Sequence, residues 1–147
     1  MIILRLEGRE YGLPLDCLVE VVRMAALAPV PTAPSFVLGL LDLRGRVVPV
    51  LDLRQRLGLP PAQPGLSTPI CVVETSGGGF GLVADAVSDI RPLVPPVEEL
   101  DIAAHDSPVA GVTHVDGRLV SLLDPDRLVQ AAQPLGLPGP GPAGAGR

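Results

Sequence analysis

Apolar residues in this chain fall in short runs broken by prolines and turn dipeptides, the pattern of strands rather than of long helices. Residues 1–7 form a first β-like run, Gly8-Arg9-Glu10 turns the chain, and a second run starts at Tyr11. Residues 16–23 fit a helical turn and a strand equally well. The stretch Pro29-Val30-Pro31-Thr32-Ala33-Pro34 is too rich in proline for a central strand. Residues 37–43 and 46–51 read as a hairpin around Arg44-Gly45, with Pro49 suggesting an edge or a bulge. Asp52 caps a short helix that stops before Gly58, and residues 60–67 make a linker. Past it, residues 70–74 and 80–90 are strand-like around the flexible Ser76-Gly77-Gly78-Gly79, and a polar, proline-containing excursion passes through His105 and Asp106. Residues 109–115 and 118–123 form a second hairpin around Asp116-Gly117, and Asp124-Pro125 opens a final helical turn.

The two halves repeat each other. Tyr11-Gly12-Leu13, Asp16, Leu18, Glu20 and Val21 recur 69 residues later as Phe80-Gly81-Leu82, Asp85, Val87, Asp89 and Ile90. Val37, Gly39, Gly45, Arg46, Val48, Leu51 and Asp52 recur 72 residues later as Val109, Gly111, Gly117, Arg118, Val120, Leu123 and Asp124. Such a period is too long for a solenoid repeat and suits two small barrels of about five strands each. The expected fold is therefore mainly β: two five-stranded β-barrel subdomains related by duplication, with short helices. One domain over 1–132 is expected, with halves of roughly 1–60 and 68–130 between which strands can be exchanged. A Gly/Pro/Ala-rich tail at 133–147 is expected to be disordered. Alternation puts Asp42 and Arg44 on one strand face and Leu41 and Leu43 on the other. The tips differ between halves, Asp42 and Arg44 answering to His114 and Asp116. Different tips suit a bridge between unlike partners, and a solvated turn that has simply diverged fits them too.

Composition narrows the function. The net charge is −5, all eleven basic residues are Arg, and aromatics are 2%. That leaves neither a basic footprint nor stacking rings for nucleic acid. Cys17 and Cys71 form no CxxC pair and read as small buried hydrophobes of a reducing compartment. Residues 1–7 lack the core and cleavage site of a signal peptide, and charges or prolines interrupt every apolar run, so a cytoplasmic protein without membrane insertion is expected. Two histidines and two unpaired cysteines give no zinc spacing, and neither a nucleophile elbow nor a phosphate loop is present. The expectation is a non-enzyme without metal or cofactor, with a small-ligand-binding barrel as the alternative from another class.

The run Phe36-Val37-Leu38-Gly39-Leu40-Leu41-Asp42-Leu43-Arg44-Gly45-Arg46-Val47-Val48-Pro49-Val50-Leu51-Asp52-Leu53-Arg54 resembles the signature of the chemotaxis coupling protein family, CheW. Tyr11-Gly12-Leu13 with Val19-Glu20-Val21, and Phe80-Gly81-Leu82-Val83-Ala84-Asp85-Ala86-Val87-Ser88-Asp89, extend the likeness over residues 1–130. The resemblance implies two five-stranded barrels and a non-catalytic adaptor. Its implied partners are the cytoplasmic tip of a methyl-accepting chemoreceptor and the regulatory domain of a CheA-type histidine kinase. A same-fold adaptor in a pathway for surface motility or gene regulation is the alternative. By position in the motif, Leu18, Glu20, Gly39, Asp42 and Arg44 would lie near partner-binding surfaces. The family usually carries Asn where Asp42 stands. Arg44 is the favoured contact because its planar fork can hold a partner carboxylate or carbonyl; an internal pair with Asp42 or a backbone cap is its alternative role.

Overall fold

The computed structural model describes residues 1–93, 98–99, 107–130 and 132. The expected tail at 133–147 and His105 lie outside the described residues. The fold is mainly β. Among the described residues, eleven strands run in chain order: β1 (Ile2–Leu6), β2 (Arg9–Leu13), β3 (Leu18–Arg23), β4 (Val37–Leu43), β5 (Arg46–Asp52), β6 (Pro69–Thr75), β7 (Gly78–Val83), β8 (Ala86–Ile90), β9 (Glu98–Glu99), β10 (Val109–Val115) and β11 (Arg118–Leu123). Two short helices, α1 (Leu53–Arg56) and α2 (Pro125–Gln130), follow β5 and β11. Residues 16–23, ambiguous by period, resolve into a 3-10 turn at Leu15–Cys17 and then β3.

The sheets do not follow the halves of the sequence. One has five strands in the order β3-β6-β7-β5-β4 and the other six in the order β8-β1-β2-β11-β10-β9. The first half therefore gives β1 and β2 to the six-stranded sheet, and the second half gives β6 and β7 to the five-stranded one. The seams are parallel: Val50 pairs with Gly81 at one and Leu122 with Gly12 at the other. These two pairs map onto each other under the offsets of 72 and 69 residues, so the duplication extends to the register. Irregularities repeat likewise, with bulges between Val37 and Gly39 and between Val109 and Gly111.

The expectation of closed barrels needs correction, because both strand orders are open. What closes each sheet is short. Beyond β3, Ala28 exchanges two backbone hydrogen bonds with Leu40 of β4, at 2.9 and 2.7 Å. In the other sheet the two-residue β9 plays that part, Glu98 pairing with Val112 of β10. Pro29 and Pro31, just past Ala28, permit no longer ladder beside β4. Pro49 lies in β5, an interior strand, against the expectation of an edge. Its partner Leu40 spends its backbone groups on Ala28, so Leu40–Pro49 is a non-hydrogen-bonded pair. The parallel pairing to β7 starts only at Val50. No ladder bond is lost to the missing N–H.

Three apolar clusters hold the sheets. The largest joins both, setting Leu4, Leu6 and Leu13 with Leu51, Val73 and Leu82. Two smaller ones sit within single sheets, around Val48, Val50 and Ile70 in one and Met1, Ile3 and Val120 in the other. Each fully buried leucine contributes about 1.5–3 kcal/mol through water exclusion. Arg56 of α1 reinforces the joint, donating from Nε and an Nη to the carbonyls of Leu128 and Arg127 in α2, both at 2.9 Å.

Candidate protein-docking site

The hairpin β4–β5 turns on Arg44 and Gly45, with φ of 54° and 88°. Two consecutive left-handed residues make the tight turn whose twist matches the strands, a setting that favours Asn, Asp or Gly at the first position. Arg44 is therefore a turn residue, as the hairpin read around Arg44-Gly45 expected, and strand alternation does not set its direction. Asp42 does not pair with it. Its Oδ1 accepts the Gly45 N–H at 2.8 Å and ties the turn together.

The guanidinium of Arg44 instead reaches Glu20 on β3 and forms an ion pair with it. β3 and β4 are the two edge strands of the five-stranded sheet. This pair thus spans the mouth of the curled sheet, where the backbone ladder is only one bridge long. The Arg44 side chain is 73% exposed and that of Glu20 28%, so the pair sits at the surface. Val19 and Val21, beside Glu20, and Val47, beside the turn, are exposed apolar residues.

Gly39 and Leu18 have other settings. Gly39, at φ 152°, faces the strap that closes the sheet: a Cβ there would come within 2.6 Å of the Ala28 carbonyl oxygen. Leu18 is half-buried and packs against the large shared core. The structure thus joins Glu20, Asp42 and Arg44 at one tip, places Gly39 under the strap, and turns Leu18 inward.

The duplicated tip, which sequence reasoning did not pick out as a site, has the same plan with the signs exchanged. Asp116 takes the turn position of Arg44, with φ 51°, and Arg91 beyond β8 grips it with two hydrogen bonds of 2.8 and 3.1 Å. That guanidinium holds the Asp116 carboxyl below its ordinary pKa. The signal available in sequence was the offset that sends Arg44 to Asp116. Nothing in the repeat pointed to Arg91, because its equivalent in the first half is not the acidic partner.

The described residues contain no group of three or more His, Cys, Asp or Glu placed to hold a metal. Cys71 is buried and Cys17 half-buried, and burial pushes their thiols up to about 12 and about 11. A thiol so raised stays protonated and is a poor nucleophile at neutral pH. His114 is exposed on β10. No helix among the described residues is long and apolar enough to cross a membrane.

The model of the CheW-like domain matches residues 1–133. A chemotaxis protein CheW of Rhizobium meliloti (strain 1021) is 31% identical over 130 residues, covering 86% of this chain and 84% of its own length. Protein FrzA of Myxococcus xanthus is 35% identical over 136 residues, covering 88% and 84%. The crystal structure of the scaffolding protein TtCheW from Thermoanaerobacter tengcongensis superposes with a TM-score of 0.76 at 28% identity, over 84% of this chain and 86% of that one. With the duplicated, strand-exchanged sheets and the matched span, this chain belongs to the CheW-like family.

Proposed function

We propose that the chain is a non-catalytic coupling adaptor of chemotaxis signalling. It joins the cytoplasmic tip of a chemoreceptor to the regulatory domain of a CheA-type histidine kinase, and it works in the cytoplasm. The observation that carries the reading, beyond family membership, is the placement of Arg44. An arginine occupies a left-handed turn position better suited to Asn, Asp or Gly, largely exposed, and aimed by Glu20. Glu7 and Asp116 take the same backbone position at the other two-residue turns, so it is the exposed guanidinium, and not the strain, that supports the reading. Glu20 fixes the rotamer of a long side chain before any partner arrives, which lowers the ordering cost of docking. The charges of Arg44 and Glu20 set the register of docking.

The test is binding to the regulatory domain of the CheA-type kinase of the same organism, by calorimetry, for the parent and for Arg44→Asn. Asn suits the turn, so the variant stays folded, and binding is expected to weaken by about 2 kcal/mol or more. Parent-like binding by the folded variant removes Arg44 from the contact. A parent that does not bind sinks the kinase reading. The likeness to FrzA favours a second reading, an adaptor of the same fold in another chemosensory-type pathway. That reading predicts binding to the kinase of the other pathway in the same assay.

A further inference from the structure

Arg54 is one of several first-half cations that the duplication replaces in the second half, and there an acid takes its place. At the joint between the sheets, Arg54 of α1 grips Asp85 through two parallel hydrogen bonds, Nε to Oδ1 at 2.7 Å and Nη2 to Oδ2 at 2.5 Å. The same guanidinium donates to the Pro60 carbonyl at 2.9 Å and lies 3.4 Å from a Glu7 carboxylate oxygen. Only 17% of its side chain is exposed. The 72-residue offset carries Arg54 to Asp126, and the 69-residue offset carries Asp85 to Asp16 and Glu7 to Ser76. The frames agree in detail: Asp52 Oδ1 accepts the Arg54 N–H and Asp124 Oδ1 the Asp126 N–H, both at 3.0 Å.

In the second half, Asp16, Cys17, Ser76 and Asp126 line an open cavity of about 330 Å³ together with Pro14 and Glu74. Glu74 already has Arg46, at 2.6 Å. The Ser76 N–H, whose counterpart at Glu7 donates to Asp85, donates to Asp126 at 2.9 Å. Asp16 is left with no hydrogen bond or ion pair among the described residues. The concentration of negative charge shows in Cys17: after burial, the Asp16 carboxylate is the next cause raising its thiol, and Asp126 and Asp124 add to it.

We propose that this cavity is a socket for an arginine side chain presented by a partner protein. The occupant is argued from the first half, where the equivalent carboxylate holds a guanidinium in a bidentate fork, and from the charge of a cavity whose own cation has been replaced by an acid. A fork of five donors fits two carboxylates at different angles, as a lysine ammonium does not. The socket rests on the reading of the chain as a docking protein only for the source of the arginine. It uses neither Glu20 nor Arg44.

The test is a titration of the full chain with N-acetyl-arginine amide, followed by amide chemical shifts. Saturable shifts are expected, confined to Asp16, Cys17, Ser76 and Asp126 and their neighbours. Affinity should fall about tenfold in Asp16→Asn, the loss of one charge-assisted fork. Asp126→Arg should fill the socket from within, abolishing the shifts and raising the melting midpoint by about 2 °C. The proposal is overturned by no saturable shift, by equal shifts with N-acetyl-citrulline amide or with magnesium chloride, or by undiminished binding in a folded Asp16→Asn. Because no kinase enters the titration, its failure leaves the coupling reading standing, and failure of kinase binding leaves the socket standing.

Discussion

A left-handed turn residue with a branched or long side chain is held against its intrinsic preference, and at Arg44 the compensation is visible: Asp42 secures the Gly45 amide and Glu20 takes the guanidinium. The two roles of Arg44, within the sheet and toward a partner, separate in a charge exchange. Glu20→Arg combined with Arg44→Glu keeps an ion pair across the mouth, so stability should stay within about 0.5 kcal/mol of the parent in urea melts. Kinase binding should nonetheless stay lost, because the partner meets a carboxylate where it needs a guanidinium. Restored binding would make the pair an internal brace and nothing more. Gly39 behaves in the opposite way. A Cβ within 2.6 Å of the Ala28 oxygen, at a φ that side chains seldom adopt, should cost Gly39→Ala about 2 kcal/mol. A loss of binding in that variant, read without a melt, would be mistaken for a lost contact.

At the scale of elements, α1 and the turns around it depend on one guanidinium. Arg54 holds Asp85 below its ordinary pKa, mainly by direct hydrogen bonds. A carboxylate depressed on folding stabilises the native state above its unfolded pKa, and that stability is lost as pH falls through the depressed value. Asp85→Asn should therefore be less stable than the parent at neutral pH. The gap should close as pH falls below about 4, where the parent's carboxylate takes up its proton. Chemical melts between about pH 6 and about pH 2 follow this directly; a gap independent of pH would mean that Asp85 acts through packing. Arg54 and Asp85 were not legible as a pair in the sequence, since 31 residues separate them and only the parallel pairing of β5 with β7 brings them together. The hairpins and their turns were legible, because Arg44-Gly45 and Asp116-Gly117 fix a two-residue reversal locally. β3 was not, since alternating half-buried and exposed residues on a short edge strand follow a 3-10 turn and fit both periods. Glu20 and Arg44 were marked by their motif, but not as partners: the curl that joins the edges of the sheet is a property of the whole.

For the molecule entire, the decisive fact is that neither half of the sequence is a folding unit. β1 and β2 stand in the middle of the six-stranded sheet, between β8 and β11, while β6 and β7 stand in the middle of the five-stranded one. Removing residues 1–60 would leave β8 without β1 and β11 without β2, and would strip Leu4, Leu6 and Leu13 from the shared core. Losing several fully buried leucines at about 2–5 kcal/mol each exceeds the whole stability of an ordinary domain, about 5–15 kcal/mol. A cut in the linker between β5 and β6 is different, because residues 61–65 are proline- and glycine-rich, largely exposed, and lie between the helix and strand that carry the pairing. Separately expressed fragments 1–63 and 64–147 should each lack a cooperative melt, and when mixed in equal amounts they should recover one, with the β-sheet circular dichroism of the intact chain. The recovered midpoint should depend on concentration, since the two chains now associate to fold. A cooperative melt from either fragment alone would show that strand exchange is not needed to complete a sheet, and would return the halves to independent barrels.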